Sequence, residues 1–163
     1  MQVVILAAGK GVRLQPLTIL TPKPMLRVAG KPILERTLSI LPSNISEIFL
    51  IVGYLKEKIQ DYLGKEFQGI PIRYLEQHDL DGTFGALRLA EPFLGDEPFL
   101  VLNGDDLYSR EDLLKLATAE GELKLLVKEV SDPRPFGVCL LSPDGRYLQG
   151  IIEKPENPPA NLI

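Results

Sequence analysis

Directly after the apolar run Val3 to Leu6, the segment Leu6-Ala7-Ala8-Gly9-Lys10-Gly11-Val12-Arg13-Leu14 sets two glycines and an arginine in a turn. Small residues at the carboxyl end of a buried strand let backbone N–H groups approach an anion, and glycine takes unusual dihedrals there without steric cost. Arg13 suits such a turn because its planar fork binds phosphate oxygens in a bidentate way. Ten residues on, Thr21-Pro22-Lys23-Pro24 holds a second cation between two prolines in a stiff segment. The plainer alternative is a generic turn with solvated cations. Two familiar phosphate motifs fail here. The dinucleotide fingerprint needs a third glycine where Leu14 stands and an acid ending the second strand, which instead ends in Val52-Gly53. The P-loop needs Gly-Lys followed by Ser or Thr, yet Gly9-Lys10, Gly30-Lys31 and Gly64-Lys65 lead to Gly, Pro and Glu.

The elements that must position this turn follow from periodicity. Val3 to Leu6, Ile48 to Val52, Ile70 to Leu75 and Phe99 to Leu102 read as strands, the first, second and fourth buried. Pro32 to Leu41, Leu55 to Leu63, Phe84 to Leu94 and about Arg110 to Ala119 read as helices, with Pro32 in a first helical turn and Gly64 just past a helix end. Three further strands are expected near Leu123–Glu129, Gly137–Leu141 and Leu148–Glu153, the last two joined by an Asp144-Gly145 hairpin turn. Alternating strand and helix predicts an α/β fold: a Rossmann-like three-layer sandwich, with a mostly parallel sheet and helices on both faces. In such sheets ligands bind in the crevice at the carboxyl ends of the strands.

Composition bounds the rest. The 163 residues, 45% hydrophobic and 25% charged, fit one domain and exclude disorder; a domain this long buries about 70% of its unfolded surface. No triplet or heptad repeat supports a collagen or coiled-coil reading. One cysteine, Cys139 in an apolar run, excludes a disulfide framework or a cysteine-rich zinc site within the chain, and it reads as a small core residue. One histidine, His78, excludes a multi-histidine metal site and reads as a loop residue. The net charge of −4 is uneven: residues 1–36 carry six basic residues against Glu35 alone. An acidic protein with a basic beginning is a poor general nucleic-acid binder and a reasonable local anion binder. No run approaches the roughly 18 apolar residues of a membrane span, and the N-terminal run lacks a secretory signal's basic region, so a soluble cytoplasmic protein is expected.

Leu6-Ala7-Ala8-Gly9-x-Gly11-x-Arg13-Leu14-x-Pro16-Leu17-Thr18, with Pro22-Lys23-Pro24-Met25-Leu26 and Gly30-Lys31-Pro32-Ile33, resembles the signature of the sugar-phosphate nucleotidyltransferases. Further elements follow in family order: Glu76-Gln77 with Asp81-Gly82-Thr83, Gly104-Asp105, Phe136-Gly137-Val138 and Glu153-Lys154-Pro155. The resemblance implies transfer of a nucleotidyl group from a nucleoside triphosphate, UTP or dTTP, to a sugar 1-phosphate, giving a nucleoside diphosphate sugar and pyrophosphate. It implies that Arg13 and the turn Leu6, Ala7, Ala8, Gly9 and Gly11 hold the triphosphate. Lys23 would contact the α-phosphate or the sugar phosphate. Asp105 would bind Mg²⁺, whereas Asp106 better fits a turn or helix cap. Gln77, a surface residue on its own merits, becomes a base reader together with Gly82 and Thr83. An amide offers the donor and acceptor that match the edge of uracil or thymine. Gly137 would leave room for the hexose, Glu153 would bind its hydroxyls and Lys154 its phosphate, although an adjacent Glu-Lys is also an ordinary solvated pair. The implied partners are the two substrates and no nucleic acid or membrane, with room for a homo-oligomer.

The resemblance covers the whole chain but stops short of the family's length. Family catalytic domains carry more strands and a second metal-binding aspartate. The proline-rich ending Glu156-Asn157-Pro158-Pro159-Ala160-Asn161-Leu162-Ile163 reads as a loop about to enter another strand. The expectation is a C-terminally truncated domain, with its nucleotide half complete and its sugar half incomplete. A non-catalytic or truncated nucleotide-binding module of the same family is the alternative.

Overall fold

The computed structural model describes residues 1–79, 81–121 and 123–163. They form two compact units, Met1–Thr118 and Ala119–Ile163. In chain order the first unit contains β1 (Gln2–Ala7), the short hairpin β2 (Arg27–Val28) and β3 (Lys31–Pro32), α1 (Ile33–Ser39), β4 (Glu47–Val52) and α2 (Lys56–Leu63). It continues with β5 (Glu66–Phe67), β6 (Ile70–Glu76), α3 (Thr83–Arg88), β7 (Phe99–Asn103) and α4 (Arg110–Thr118). The main sheet has the order β5-β6-β4-β1-β7, parallel throughout except for β5.

Near-continuous apolar strands are what a parallel sheet covered on both sides demands, because successive side chains face opposite layers. Val3, Ile5 and Ala7 share one face with Ile48, Leu50 and Val52, and pack with Leu34 and Leu38 of α1, Ile59 of α2 and Leu113 of α4. Val4, Phe49 and Ile51 point the other way, onto Ala86 of α3 and Ala90. Helices therefore lie on both faces, as the alternating pattern predicts. Phe49 is completely buried; its ring stacks 6.1 Å from that of Phe93, and Arg73 lies 4.8 Å above the Phe93 ring while pairing with Glu47 at 3.0 Å.

Three expected elements are corrected. The helix read from Phe84 to Leu94 stops at Arg88 and resumes only as a 3-10 turn, Glu91–Phe93. Pro92 supplies no N–H and crowds the carbonyl four residues earlier, so a regular helix does not run through it. Pro32 lies in β3, immediately before α1 rather than inside its first turn, and α1 ends at Ser39, short of Pro42. The strand expected at Leu123–Glu129 is not formed. Among the described residues, only Lys128 exchanges backbone bonds with Ile163, and Val130 N–H donates to Asn161 O, around an isolated Glu129–Leu162 bridge. Leu123 is 85% exposed, so its apolar pattern finds no cover within this unit.

The second unit is built on the antiparallel hairpin β8 (Gly137–Leu141) and β9 (Leu148–Glu153), as expected. Its turn closes through Gly145 N–H donating to Ser142 O at 2.8 Å, with Gly145 at φ +70°. Cys139 is buried in this unit, and its N–H donates to Leu162 O. Among the described residues, no helix is long and apolar enough to cross a membrane.

Candidate functional site

Strand order decides where the first unit can bind a ligand. From β1 the sheet extends through β4 to β6, then returns to add β7 on the other side of β1. The direction in which strands are added reverses at β1, and in open α/β sheets ligands bind at the carboxyl ends of the strands at such a point. The glycine turn follows β1 and Asp105 follows β7, so both lie at that opening. The Gly104 N–H donates to Leu6 O at 2.8 Å and ties the two strand ends together.

Leu6 is half-buried, and Ala7 and Ala8 are buried, while Gly9 and Lys10 are exposed. Among the described residues, no carbonyl accepts from the N–H groups of Gly9, Lys10 or Gly11. Orphan backbone donors of this kind are what an anion-binding turn requires. Gly11 is left-handed, at φ +62°, and its carbonyl accepts from the buried Thr18 hydroxyl at 2.8 Å. A Cβ on Gly11 would lie 3.1 Å from both Lys23 Cβ and Thr18 Cγ2. The missing side chain thus lets the turn sit directly against Lys23. Arg13 follows in a 3-10 turn, Val12–Leu14, and is exposed.

Lys23 lies in its own 3-10 turn, Lys23–Met25, with extended Pro22 before it. Its Nζ donates to Asp105 Oδ2 across 82 residues of sequence, and each side chain is 31% exposed. Asp106 plays the turn role: its Oδ2 accepts from Asn103 Nδ2 at 2.9 Å, and its carbonyl from buried Thr37 at 3.3 Å. The cap of α4 is instead Ser109, whose Oγ accepts from Asp112 N–H at 3.0 Å. Tyr108 anchors the same loop, its hydroxyl accepting from Asn103 N–H at 2.9 Å. Burial pushes the Tyr108 phenol up to about 12, and the Asp106 and Asp105 carboxylates add to the rise, so it stays a neutral support. Tyr108 and Thr37 carry no motif; only their distant contacts mark them as parts of the site.

Gln77 continues from β6, its N–H donating to Val52 O at 2.8 Å. It is 8% exposed, which corrects the surface position its own chemistry implies. Its Nε2 donates to Asp81 Oδ1 at 2.8 Å and to Gly82 O at 3.2 Å, while Thr83 opens α3 and is exposed. Gly53 joins this corner to the glycine turn: a Cβ there would lie 3.0 Å from Ala8 O and 3.1 Å from Gln77 O. With backbone on both sides, neither neighbour gives easily. Gly53→Ala is expected to cost about 1–3 kcal/mol in a urea melt, the usual penalty of overpacking. A neutral result would show that these strand ends are not in close contact.

Glu76 has a different partner. Lys56 Nζ donates to its carboxylate and holds it below the usual carboxylate range, and the exposed His78 lies 3.5 Å away. In the second unit, Gly137 is the register partner of Glu153, and a Cβ on Gly137 would lie 3.2 Å from Glu153 Oε2. Glu153 and Lys154 form an exposed pair at 2.9 Å, and Lys154 turns the chain with φ +45°.

Among the described residues, no three acidic, histidine or cysteine side chains gather as a metal site. A single half-buried carboxylate fits Mg²⁺, which draws most of its ligands from water and phosphate, and does not fit a closed zinc site.

The sequence model of the family described as nucleotidyl transferase matches residues 2–163. Bifunctional protein GlmU of Methanocaldococcus jannaschii is 45% identical over 166 residues, covering 100% of this chain and 38% of that protein. UTP--glucose-1-phosphate uridylyltransferase AglF of Haloferax volcanii is 37% identical, covering 100% of this chain and 69% of that protein. A Bacillus anthracis structure solved as a glucose-1-phosphate thymidylyltransferase with sucrose superposes with a TM-score of 0.87 at 30% identity, covering 99% of this chain and 68% of that one. The chain thus spans well under half the length of its GlmU relatives.

Proposed function

Because the chain belongs to the nucleotidyl transferase family, we propose that it takes part in moving a nucleotidyl group from UTP or dTTP to a sugar 1-phosphate, with release of pyrophosphate. The observation that carries this reading is the meeting of open turn amides, Lys23 and Asp105 at the carboxyl ends of β1 and β7.

Two polyanions must approach for this reaction, so positioning and charge neutralisation dominate its barrier. The amides of Gly9, Lys10 and Gly11 take the triphosphate, and Arg13 takes the charge that develops on the leaving pyrophosphate. Lys23 lies against both the turn and the metal carboxylate, which suits contact with the α-phosphate where the new bond forms. Asp105 would hold Mg²⁺; the ion, when bound, neutralises phosphate charge and polarises the phosphoryl oxygens. Gln77 and Gly82 read the base, with Thr83 beside them. Gly137, Glu153 and Lys154 are assigned to the sugar phosphate.

The test has two stages. UTP with Mg²⁺ at about 100 times its Kd stabilises a specific binder by about 2.7 kcal/mol, a melting-temperature rise of about 5–10 °C. No shift with any nucleoside triphosphate removes the nucleotide-site assignment. Pyrophosphate release is then measured with glucose 1-phosphate and N-acetylglucosamine 1-phosphate. Release supports the transferase; a shift without release supports a nucleotide-binding module.

A further inference from the structure

Gln77 Nε2 spends both of its hydrogens inside the protein, on Asp81 Oδ1 at 2.8 Å and on Gly82 O at 3.2 Å. A carboxylate and a carbonyl only accept, so they define which end of the amide is nitrogen. Among the described residues, nothing donates to Gln77 Oε1, and no side-chain oxygen or nitrogen is buried without a partner. Oε1 is therefore the open atom of an otherwise buried side chain.

We infer that Asp81 is a positioning residue that sets base specificity, by locking the Gln77 amide with its acceptor oxygen outward. This rests on the nucleotide-binding reading above. Uracil and thymine carry a ring N–H at N3, which can donate to an outward Oε1. Cytosine has nearly the same size but presents a lone pair at N3, so it would face acceptor against acceptor. A freely rotating glutamine would serve either base, because half a turn exchanges its donor for its acceptor. Asp81, whose bond is the shorter of the two and charge-assisted, removes that choice together with Gly82 O.

Gly85 forms the other half of the device. A Cβ at Gly85 would lie 1.9 Å from Asp81 Oδ1 and 2.1 Å from its Cγ, so the carboxylate occupies the space of the absent side chain. Alanine suits the interior of α3 better than glycine does. Gly85→Ala would therefore leave the helix intact and displace the carboxylate, which is the mobile end of a short side chain.

The experiment measures dissociation constants of UTP and CTP, each with Mg²⁺, by calorimetry for the unaltered chain, Asp81→Ala and Gly85→Ala. A melting curve of each checks folding. The unaltered chain should prefer UTP by about 100-fold, the cost of one mismatched hydrogen bond in a buried site. In both variants the preference should fall below about tenfold, with CTP binding more tightly than before, since the released amide can turn its nitrogen to cytosine. A merely structural role would weaken both nucleotides by the same factor, and that result overturns the inference. A chain that binds nucleotide but shows no preference for UTP also overturns it while leaving the nucleotide site standing. Failure to bind either nucleotide overturns the functional reading and this inference with it.

Discussion

On the proposed reaction, Lys23→Met is expected to lower pyrophosphate release from UTP and a sugar 1-phosphate by about 10²- to 10³-fold, the usual cost of deleting one preorganised charge from a site of developing negative charge. The backbone that carries Lys23 is held by Pro22 and Pro24, and Met25 N–H donates to Pro22 O at 2.8 Å, so the turn does not depend on the ammonium group. The lost partner, Asp105, is about one-third exposed and remains solvated, so stability should change by no more than about 1 kcal/mol. Lys23→Arg should rescue only in part, because a wide planar fork does not replace a compact ammonium that donates to a single Asp105 oxygen. Steady-state rates together with a melting curve check this. An unchanged rate would remove Lys23 from the site, whereas a fall in rate matched by a fall in melting temperature would assign it a structural role.

Phe49→Ala has the largest expected effect on stability. Phe49 lies in β4, the strand between β1 and β6, and is fully buried against the Phe93 ring on the face covered by α3. Deleting a buried ring costs about 3–5 kcal/mol, partly as lost transfer energy and partly as the cavity left behind. Arg73 would lose the surface beneath its guanidinium as well. Val101→Ala, on edge strand β7 and 39% exposed, is the control and should cost less than about 1.5 kcal/mol. Urea unfolding of the two variants tests the difference. Equal losses would mean that the layer beneath α3 is not packed as a core.

The parallel core was legible because apolar runs leave a signal that needs no partner: four of them became β1, β4, β6 and β7, although β7, read as a buried strand, keeps Phe99 and Val101 exposed on one face. Helix ends were legible where one residue decides them, as at Gly64, which takes φ +70° past α2. Segments whose fate depends on distant partners were misread. Leu123–Glu129 has the composition of a strand, but among the described residues only Leu162 and Ile163 pair with it, too few to extend a ladder. Gln77 is buried because Asp81 and Gly82 take both N–H groups of its amide, a compensation that the glutamine itself does not announce.

The sequence alone determined the α/β layering, the family, and the turn, lysine and aspartate on which the proposed chemistry rests, because each is written in local residue type and spacing. Its basic first 36 residues already held both cations of that chemistry. Only the tertiary structure decided that Lys23 meets Asp105 and that Gly11 brings the turn against Lys23. It also decided that Asp81 orients Gln77 in the space Gly85 leaves. The physical reason is range. A propensity acts over a few neighbouring residues, whereas a hydrogen bond or a steric gap acts over a few ångströms between groups that the sheet order brings together.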